Sequence, residues 1–392
     1  MNEKKNITTK ETFALAVQNH KKNNLQVAEN LYKETLRVDP NHVDARNNLG
    51  IIYKELGEFQ KAVECYQKTI QIQPDHVEDV HISLGNVFKE LGENEKAINC
   101  YEKAIKINPN YVNAYNNLGL TYNAFGKKRK AIELYEKCIH IDSKNTDAHF
   151  NLGNVYKDLG DVEKSLDLFQ KAIEIKPNIN KHYNSILMSI TYTHSNKNYL
   201  ELAKKYYESI KIHEDKKFLY SKPRNNKILK VGFISGDFKS HSVANFLLDT
   251  IKNLREKNLE LFAYSNSKAD DATTKLLKQY FHNWTVIVNK PDRFVINLIR
   301  KDNLDVLFDL SGHSAGNRLR IFKSRCAPVQ ANWIGCASST GINEIDYIIG
   351  DPYATPLKDQ YKFTEKIYNL NNIWSCLSTS NLYSDTKINK NN

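Results

Sequence analysis

The sequence predicts an α-helical solenoid followed by an α/β domain built on a parallel sheet. The first half of the chain repeats one pattern every 34 or 35 residues, and a period of that length is typical of helical repeat arrays. Beyond residue 227, short apolar segments alternate with helical ones, which favours a parallel sheet covered by helices. With 392 residues, of which 41% are hydrophobic and 10% aromatic, the chain has room for two or three domains.

Four recurring units define the solenoid. Each contains a Leu-Gly pair, an aromatic residue three positions after that glycine, then a second glycine, a small residue and a second aromatic residue. Small residues suit the crossing of the two helices of a hairpin, and the second glycine can end the first helix in a left-handed conformation. The first glycines are Gly50, Gly85, Gly119 and Gly153. We identify tetratricopeptide-type helical hairpins and place the array, which starts with one degenerate unit, at residues 8–178.

One polar position of each hairpin predicts peptide binding. The residue two positions before the first glycine is Asn48, Ser83, Asn117 or Asn151. Side-chain amides in a row can hydrogen-bond the backbone of an extended guest whatever its sequence. We therefore expect a protein or peptide in the groove of the array. The alternative is that asparagine merely tolerates a solvated helix face.

The composition predicts a cytoplasmic protein with neither nucleic-acid nor membrane partners. No apolar run approaches the roughly 18 residues of a membrane span, and the polar first eleven residues do not resemble a secretion signal. The net charge of +11 suggests nucleic-acid binding, but acidic residues are interleaved with the basic ones. The densest basic stretch, residues 204–230, also lacks the regularly spaced aromatics of a single-strand binder. A lysine-rich, solvated surface explains the charge better.

The six cysteines predict neither a metal site nor a redox pair. They include no C-x-x-C pair, and no histidine lies near them at zinc-ligand spacing. Cys65 and Cys100 occupy the same register of neighbouring repeats. That placement is typical of small apolar packing residues.

The α/β domain is predicted at residues 227–377, after a helical linker at 179–226. Within the linker, 199–212 reads as helical and 213–226 as a charged connection. Helices are predicted at 243–254 and 294–301. The predicted strands are 228–235, 259–264, 284–288, 304–310, 329–334, 347–350 and 366–370. In such a sheet, ligands bind at the carboxyl ends of the strands.

Two loops at those strand ends carry suggestive side chains. Gly236 and His241 lie in the loop after the first strand, which opens a helix, and His313 and Arg318 follow the fourth strand. A helix N-terminus is a ready anion site and favours a neutral imidazole. Neither loop is decisive by itself, because a single histidine in a loop is commonly incidental and the chain has no Walker A or G-x-G-x-x-G motif.

Together with the repeats, residues 183–377 resemble the bacterial branch of the SPINDLY and O-GlcNAc transferase family. The matching stretches fall in the order and spacing of that family, behind the same kind of helical array. They read KVGFISGDFKSHSVA from Lys230, DLSGHSAGNR from Asp309, APVQANWIG from Ala327 and STGINEIDY from Ser339, followed by Asp351.

The resemblance implies a GT-B glycosyltransferase that moves a sugar from UDP-GlcNAc or GDP-fucose to Ser or Thr of a protein, with no permanently bound cofactor and no metal. It implies that His241 lies near the sugar and diphosphate. Ile334 and Gly335 match the backbone stretch that lines the sugar pocket, and Gly236, His313 and Arg318 join them as donor-binding candidates. His182 is a second catalytic candidate; it stands one residue before the position of another family histidine, which Tyr183 occupies.

The resemblance covers only the N-terminal half of a GT-B catalytic region. Residues 378–392 read as a polar, disordered tail, so we expect the second Rossmann-like domain, with most nucleotide contacts, to be missing from this chain. Three interpretations stay open. The chain is a transferase that encodes the acceptor-side half, a non-catalytic adaptor, or a half-enzyme completed by a separate donor-binding domain.

Overall fold

The computed structural model describes residues 8–75, 77–191, 199–212, 228–335 and 337–371. The chain divides between Leu168 and Phe169 into two compact units. That division falls inside a helix, and the domain boundaries predicted at 178 and 226 stay predictions. The segments predicted as a charged connection and a tail, together with Cys336 and Cys376, lie outside the described residues.

The first unit is built of consecutive helices that pack pairwise. From α3 to α9, each odd-numbered helix is followed by a glycine with φ between +72° and +84°, so the second glycine of each repeat ends the first helix as predicted. The helices are α1 (Thr9–Lys21), α2 (Leu25–Val38), α3 (Val43–Glu55), α4 (Phe59–Ile72), α5 (Glu78–Glu90), α6 (Asn94–Ile107), α7 (Val112–Ala124), α8 (Lys128–Ile141), α9 (Thr146–Asp158) and α10 (Val162–Ile175), the last of which crosses the division.

The first glycine of a repeat lets the two helices of its hairpin approach closely. A Cβ atom at Gly85 would lie 2.6 Å from Cε1 of Tyr101, a fully buried tyrosine on the second helix. Gly50 and Gly119 meet Tyr66 and Tyr135 in the same way. The repeated glycine and the repeated aromatic residue are therefore the two partners of one contact within each of these hairpins. The predicted solenoid is confirmed.

The second unit contains a seven-stranded sheet, two helices that precede the sheet, and further helices between its strands. No helix within the described ranges is long and apolar enough to cross a bilayer. Its further elements are α11 (Asn180–Ile190), α12 (Tyr199–Ser209), β1 (Leu229–Ser235), α13 (Ser242–Arg255), β2 (Leu259–Ser265), α14 (Ala272–Lys278), β3 (Asn283–Val286), α15 (Asp292–Asp302), β4 (Val306–Asp309), α16 (Leu319–Phe322), β5 (Val329–Asn332), β6 (Tyr347–Gly350), a 3-10 turn at Leu357–Lys362 and β7 (Lys366–Asn369).

All strand pairs are parallel, in the order β3-β2-β1-β4-β5-β6-β7, as the sequence predicts. Successive strands are added on one side of β1 as far as β3, and on its other side from β4 onward, so the strand order reverses between β1 and β4. The crevice at such a reversal, outside the carboxyl ends of the strands, is where open α/β sheets bind ligands. Each predicted strand is present, although β3, β4 and β5 are shorter than predicted. The short helices α14 and α16 and the 3-10 turn were not predicted, because elements of four to seven residues show little periodicity.

Candidate active site

The loops after β1 and β4 meet at the point where the winding reverses. Ser235 ends β1, and its Oγ lies 3.4 Å from Oγ of Ser311 in the loop after β4. The same Ser311 oxygen accepts a hydrogen bond from the backbone N–H of Gly236, at 3.4 Å. These contacts place Gly236 and the following residues at the mouth of the crevice.

His241 caps the N-terminus of α13, with its side chain 42% exposed. The backbone N–H of Val243 donates to Nδ1 of His241 at 3.3 Å, and a carboxylate oxygen of Asp237 lies 3.9 Å from that nitrogen. Because Nδ1 accepts a hydrogen bond, the proton of the neutral ring belongs on Nε2. His241 is thus arranged to donate a hydrogen bond from Nε2.

Asp309, at the end of β4, organises the loop that follows. Its fully buried carboxylate accepts hydrogen bonds from the Gly312 N–H and from Nδ2 of Asn332, each at 2.7 Å. Burial raises the pKa of Asp309 to about 7, and these hydrogen bonds offset part of that rise. Sequence reasoning did not single out Asp309 or Asn332, although an acidic residue at a strand end before Ser-Gly could have indicated this role.

His313 lies inside the second unit rather than at an open surface. It is 2% exposed, Nδ1 lies 2.9 Å from Oδ1 of Asn184 in α11, and the ring meets the Tyr206 ring edge-on at 5.0 Å. Burial lowers the pKa of His313 to about 4, so the imidazole is neutral near pH 7. Asn184 occupies Nδ1, whereas the buried Nε2 has no hydrogen-bond partner among the described residues.

Arg318 connects the loops that follow β3 and β4. Its guanidinium donates to a carboxylate oxygen of Asp292 and to the carbonyl oxygen of Ile287, both at 2.8 Å, and to Oδ1 of Asn266 at 3.1 Å. A further bond reaches the carbonyl oxygen of Lys290, at 3.0 Å. With so many of its donors already paired, Arg318 holds the loops together in this arrangement.

Ile334 and Gly335 follow β5 and lie against the loop after β4. A Cβ atom at Gly335 would be 2.5 Å from the carbonyl oxygen of Leu310, so only glycine fits there. Ile334 has φ +69°, which is a strained conformation for a β-branched residue. Strain of this kind clusters at functional sites, and it supports a role for this segment.

His182 is fully buried in α11, so it cannot reach a substrate hydroxyl in this arrangement. Asn184 lies two residues after His182, and side chains two residues apart on a helix point about 200° apart. Asn184 is the α11 side chain that contacts His313 in the loop after β4, and it is not predicted from the sequence. Within the described ranges, no three His, Cys, Asp or Glu side chains come together as metal ligands.

The row of polar residues in the first unit forms hydrogen bonds between repeats. Nδ2 of Asn117 donates to Oδ1 of Asn86 at 3.3 Å, and Nδ2 of Asn151 donates to Oδ1 of Asn116 at 2.9 Å. Asn86 also accepts a hydrogen bond from the Tyr101 hydroxyl, at 2.8 Å. These bonds hold the Asn117 and Asn151 amides at fixed positions, half-buried along the array.

A family described as glycosyl transferase family 41 matches residues 168–385, more than half of the chain. The chain belongs to this family. Tetratricopeptide repeat families match residues 43–76, 85–126, 122–160 and 146–179. The fold, the repeats and the family resemblance predicted from the sequence are all confirmed.

Two curated relatives carry the name probable UDP-N-acetylglucosamine–peptide N-acetylglucosaminyltransferase SPINDLY. The protein from Solanum lycopersicum is 32% identical over 169 residues, which are 41% of this chain and 18% of the relative. The one from Oryza sativa subsp. japonica is 33% identical over 156 residues, 39% of this chain and 17% of the relative. The match therefore spans less than a fifth of either relative.

A solved structure of a Thermobaculum terrenum O-GlcNAc transferase mutant has the same fold. It is 24% identical in sequence, with a TM-score of 0.65, and the match covers 76% of this chain and 58% of that one. This likeness supports the architecture of a helical array followed by a parallel sheet domain.

Proposed function

We propose that this family 41 chain takes part in protein O-glycosylation, and that its described residues form the acceptor-side portion of a transferase that moves GlcNAc from UDP-GlcNAc to Ser or Thr of a bound protein. The meeting of the loops after β1, β4 and β5 at the reversal of the sheet carries this proposal. The names of the relatives favour UDP-GlcNAc over GDP-fucose as the donor. The chain then works in the cytoplasm, with a second donor-binding domain supplying the remaining nucleotide contacts.

His241 is the residue that acts on the donor in this proposal. Its exposed Nε2–H, at the N-terminus of α13, can donate to a sugar or diphosphate oxygen as negative charge develops on the leaving group. The helix N-terminus adds partial positive charge at the same place. A base role would require the other tautomer, and the Val243 N–H opposes that tautomer.

The remaining candidate residues have one of two roles in this proposal: they line the sugar pocket, or they position other groups. Backbone at Gly236, Ile334 and Gly335 lines the sugar pocket in this proposal. His313 and Arg318 act as positioning residues, because Nδ1 of His313 contacts Asn184 and the Arg318 guanidinium pairs with Asp292. In the first unit, the amides of Asn117 and Asn151 bind the client backbone.

A second candidate function is that of a non-catalytic adaptor. The first unit favours it, because this unit has a hydrophobic core of its own and carries the amide row without help from the sheet. Holding a client would then be the whole function of the chain.

One experiment separates the two functions. The full chain, alone and mixed with a separately expressed family 41 donor-binding domain, is incubated with a Ser/Thr-containing acceptor protein and either UDP-GlcNAc or GDP-fucose. Mass spectrometry of the acceptor should show GlcNAc addition in the mixture with UDP-GlcNAc. Acceptor binding without transfer under every condition would support the adaptor and refute the transferase.

A further inference from the structure

A groove in the first unit lies between α4 and α6, with α5 as its floor. Its volume is about 430 Å³, within the roughly 300–1,000 Å³ range of ligand pockets. Ile70 of α4 and Leu84 and Phe88 of α5 supply apolar surface. We call this feature the α4–α6 groove.

The α4–α6 groove is separate from the amide row. His81, Leu84 and Phe88 line it, and their spacing of three and four residues places them on one face of α5. Ser83 and Asn86, which belong to the polar row and its hydrogen bonds, lie on other faces of the same helix. A guest in the groove would therefore contact different side chains from a client held by the amides.

The groove lacks the carboxylate found at the same place in its neighbours. Asn99 lines it, whereas the equivalent residues of the other three regular repeats are Glu64, Glu133 and Asp167. The lysine four positions later is kept in all four repeats, as Lys68, Lys103, Lys137 and Lys171. Residues four apart are neighbours on a helix. Lys103 is thus the one of these lysines whose neighbour at that position carries no negative charge.

A second position shows the same loss of negative charge. Gln67 of α4 lines the groove, whereas the next two repeats have Glu102 and Glu136 at that position. Gln71 lines it as well. The walls therefore present neutral amides, which can pair with both the N–H and the C=O groups of a peptide backbone.

Two ammonium groups give the α4–α6 groove its charge. Among the described residues, neither Lys103 nor its equivalents in the other repeats form an ion pair, but only Lys103 lacks a carboxylate four residues earlier on its helix. Lys96 pairs with Glu93 at the groove edge, and its Nζ lies 5.3 Å from the centre of the Phe88 ring. A positive charge without an acidic partner beside an apolar floor complements an anionic group on an apolar ligand.

His81 adds a polar group to the floor. It is 7% exposed, and its Nδ1 has no hydrogen-bond partner among the described residues. Burial, with the Lys103 ammonium as a smaller cause, lowers the pKa of His81, so the ring is neutral near pH 7. An unsatisfied buried polar atom is costly, and a polar ligand that reorients the ring can reduce that cost.

We infer that the α4–α6 groove binds a short acidic and apolar segment of a partner protein. A carboxylate of the segment pairs with Lys103, an apolar side chain packs on Leu84 and Phe88, and the backbone pairs with the amides of Gln67 and Asn99. This site is additional to the proposed client site, and it does not depend on sugar transfer.

The test is fluorescence anisotropy with the full chain and two dye-labelled peptides, one alternating glutamate with leucine and the other glutamine with leucine. The glutamate peptide should bind about tenfold more tightly or better, as expected for one charge-assisted contact. Equal affinity of the two peptides would overturn the inference. Displacement of the glutamate peptide by a single-stranded RNA oligonucleotide would also overturn it, in favour of a nucleic-acid site.

Matched variants locate the binding. Asn99→Glu restores the carboxylate that the neighbouring repeats carry, so it should weaken binding of the glutamate peptide about tenfold. Asn99→Gln should leave that binding unchanged. Lys103→Gln should also weaken binding of the glutamate peptide. This second variant provides the test if Asn99→Glu alters thermal unfolding. Lys137→Gln changes the equivalent lysine of the next repeat and should have no effect. Equal weakening by Lys103→Gln and Lys137→Gln would refute a specific groove.

Discussion

Gly236 and Gly316 bring the loops after β1 and β4 into backbone contact. A Cβ atom at Gly236 would lie 2.9 Å from the carbonyl oxygen of Gly316, and one at Gly316 would lie 3.6 Å from Cα of Gly236. A carbonyl oxygen cannot move as a flexible side chain does. The two loops that border the proposed donor pocket therefore depend on the absence of a side chain at Gly236.

Gly236→Ala should lower the free energy of unfolding of the second unit by about 1–3 kcal/mol, because one methyl group overpacks the contact. Urea unfolding followed by tryptophan fluorescence measures this, since Trp284 and Trp333 lie in the second unit and residues 1–168 contain no tryptophan. Ser240→Ala, at an exposed position of the same loop, is the control and should cost about 0.5 kcal/mol or less. Equal stability of the two variants would contradict the close contact.

Arg318→Gln should cost about 2 kcal/mol, because it leaves one oxygen of Asp292 and two backbone carbonyl groups without their charged donor. Arg320 pairs with the other oxygen of Asp292 at 3.0 Å but is 45% exposed. Arg320→Gln is therefore the matched control and should cost about 1 kcal/mol or less. The same unfolding measurement applies. Similar losses for both variants would remove the positioning role assigned to Arg318.

His313 should make the second unit sensitive to acid. Burial lowers its pKa to about 4, against about 6.5 in an unfolded chain. The unfolded state therefore binds the proton first as the pH falls. The stability that His313 contributes is complete above about pH 6.5 and is lost as the pH falls through about 4.

Relative to wild type, His313→Gln should lose this pH dependence, which amounts to about 2–3 kcal/mol between pH 7 and pH 4. Asp309, with its pKa raised to about 7, shifts stability in the opposite direction. It is present in both proteins, so the comparison isolates His313. Unfolding at several pH values provides the measurement, and parallel curves for the two proteins would contradict the buried neutral imidazole.

Asn48, Asn117 and Asn151 replaced together by Ala should weaken client binding at least about tenfold, because several backbone-binding amides are lost. Asn110→Ala, at an exposed site between helices, is the control. Anisotropy with a labelled acceptor peptide provides the measurement. Unchanged affinity of the triple variant would favour the solvated-face interpretation of the row.

The sequence predicts the repeats and the strands because their causes are local. Gly85 and Tyr101 stand at a spacing that the four regular repeats share, and β1 is a short, mostly apolar segment. The roles of His313 and Arg318 depend instead on distant partners, Asn184 at 129 residues and Asp292 at 26 residues along the chain. A motif shows that such side chains are present. It does not show which of their polar atoms are already bonded within the fold.

The tautomer of His241 could not be predicted from the sequence either. The motif places a histidine before a helix, but the bond from Val243 that puts the proton on Nε2 is a matter of loop geometry. That bond is what separates a hydrogen-bond donor from a general base.

The most direct test is the rate of GlcNAc transfer from UDP-GlcNAc by the chain together with a donor-binding domain. Wild type, His241→Ala and His241→Gln are compared at saturating UDP-GlcNAc. His241→Ala removes one hydrogen-bond donor to the negative charge that develops on the leaving group, and this loss should lower kcat about 100-fold or more. The glutamine amide can still donate, so His241→Gln should recover part of that loss. Equal inactivity of both variants would indicate a base, and full activity of His241→Ala would remove His241 from the site.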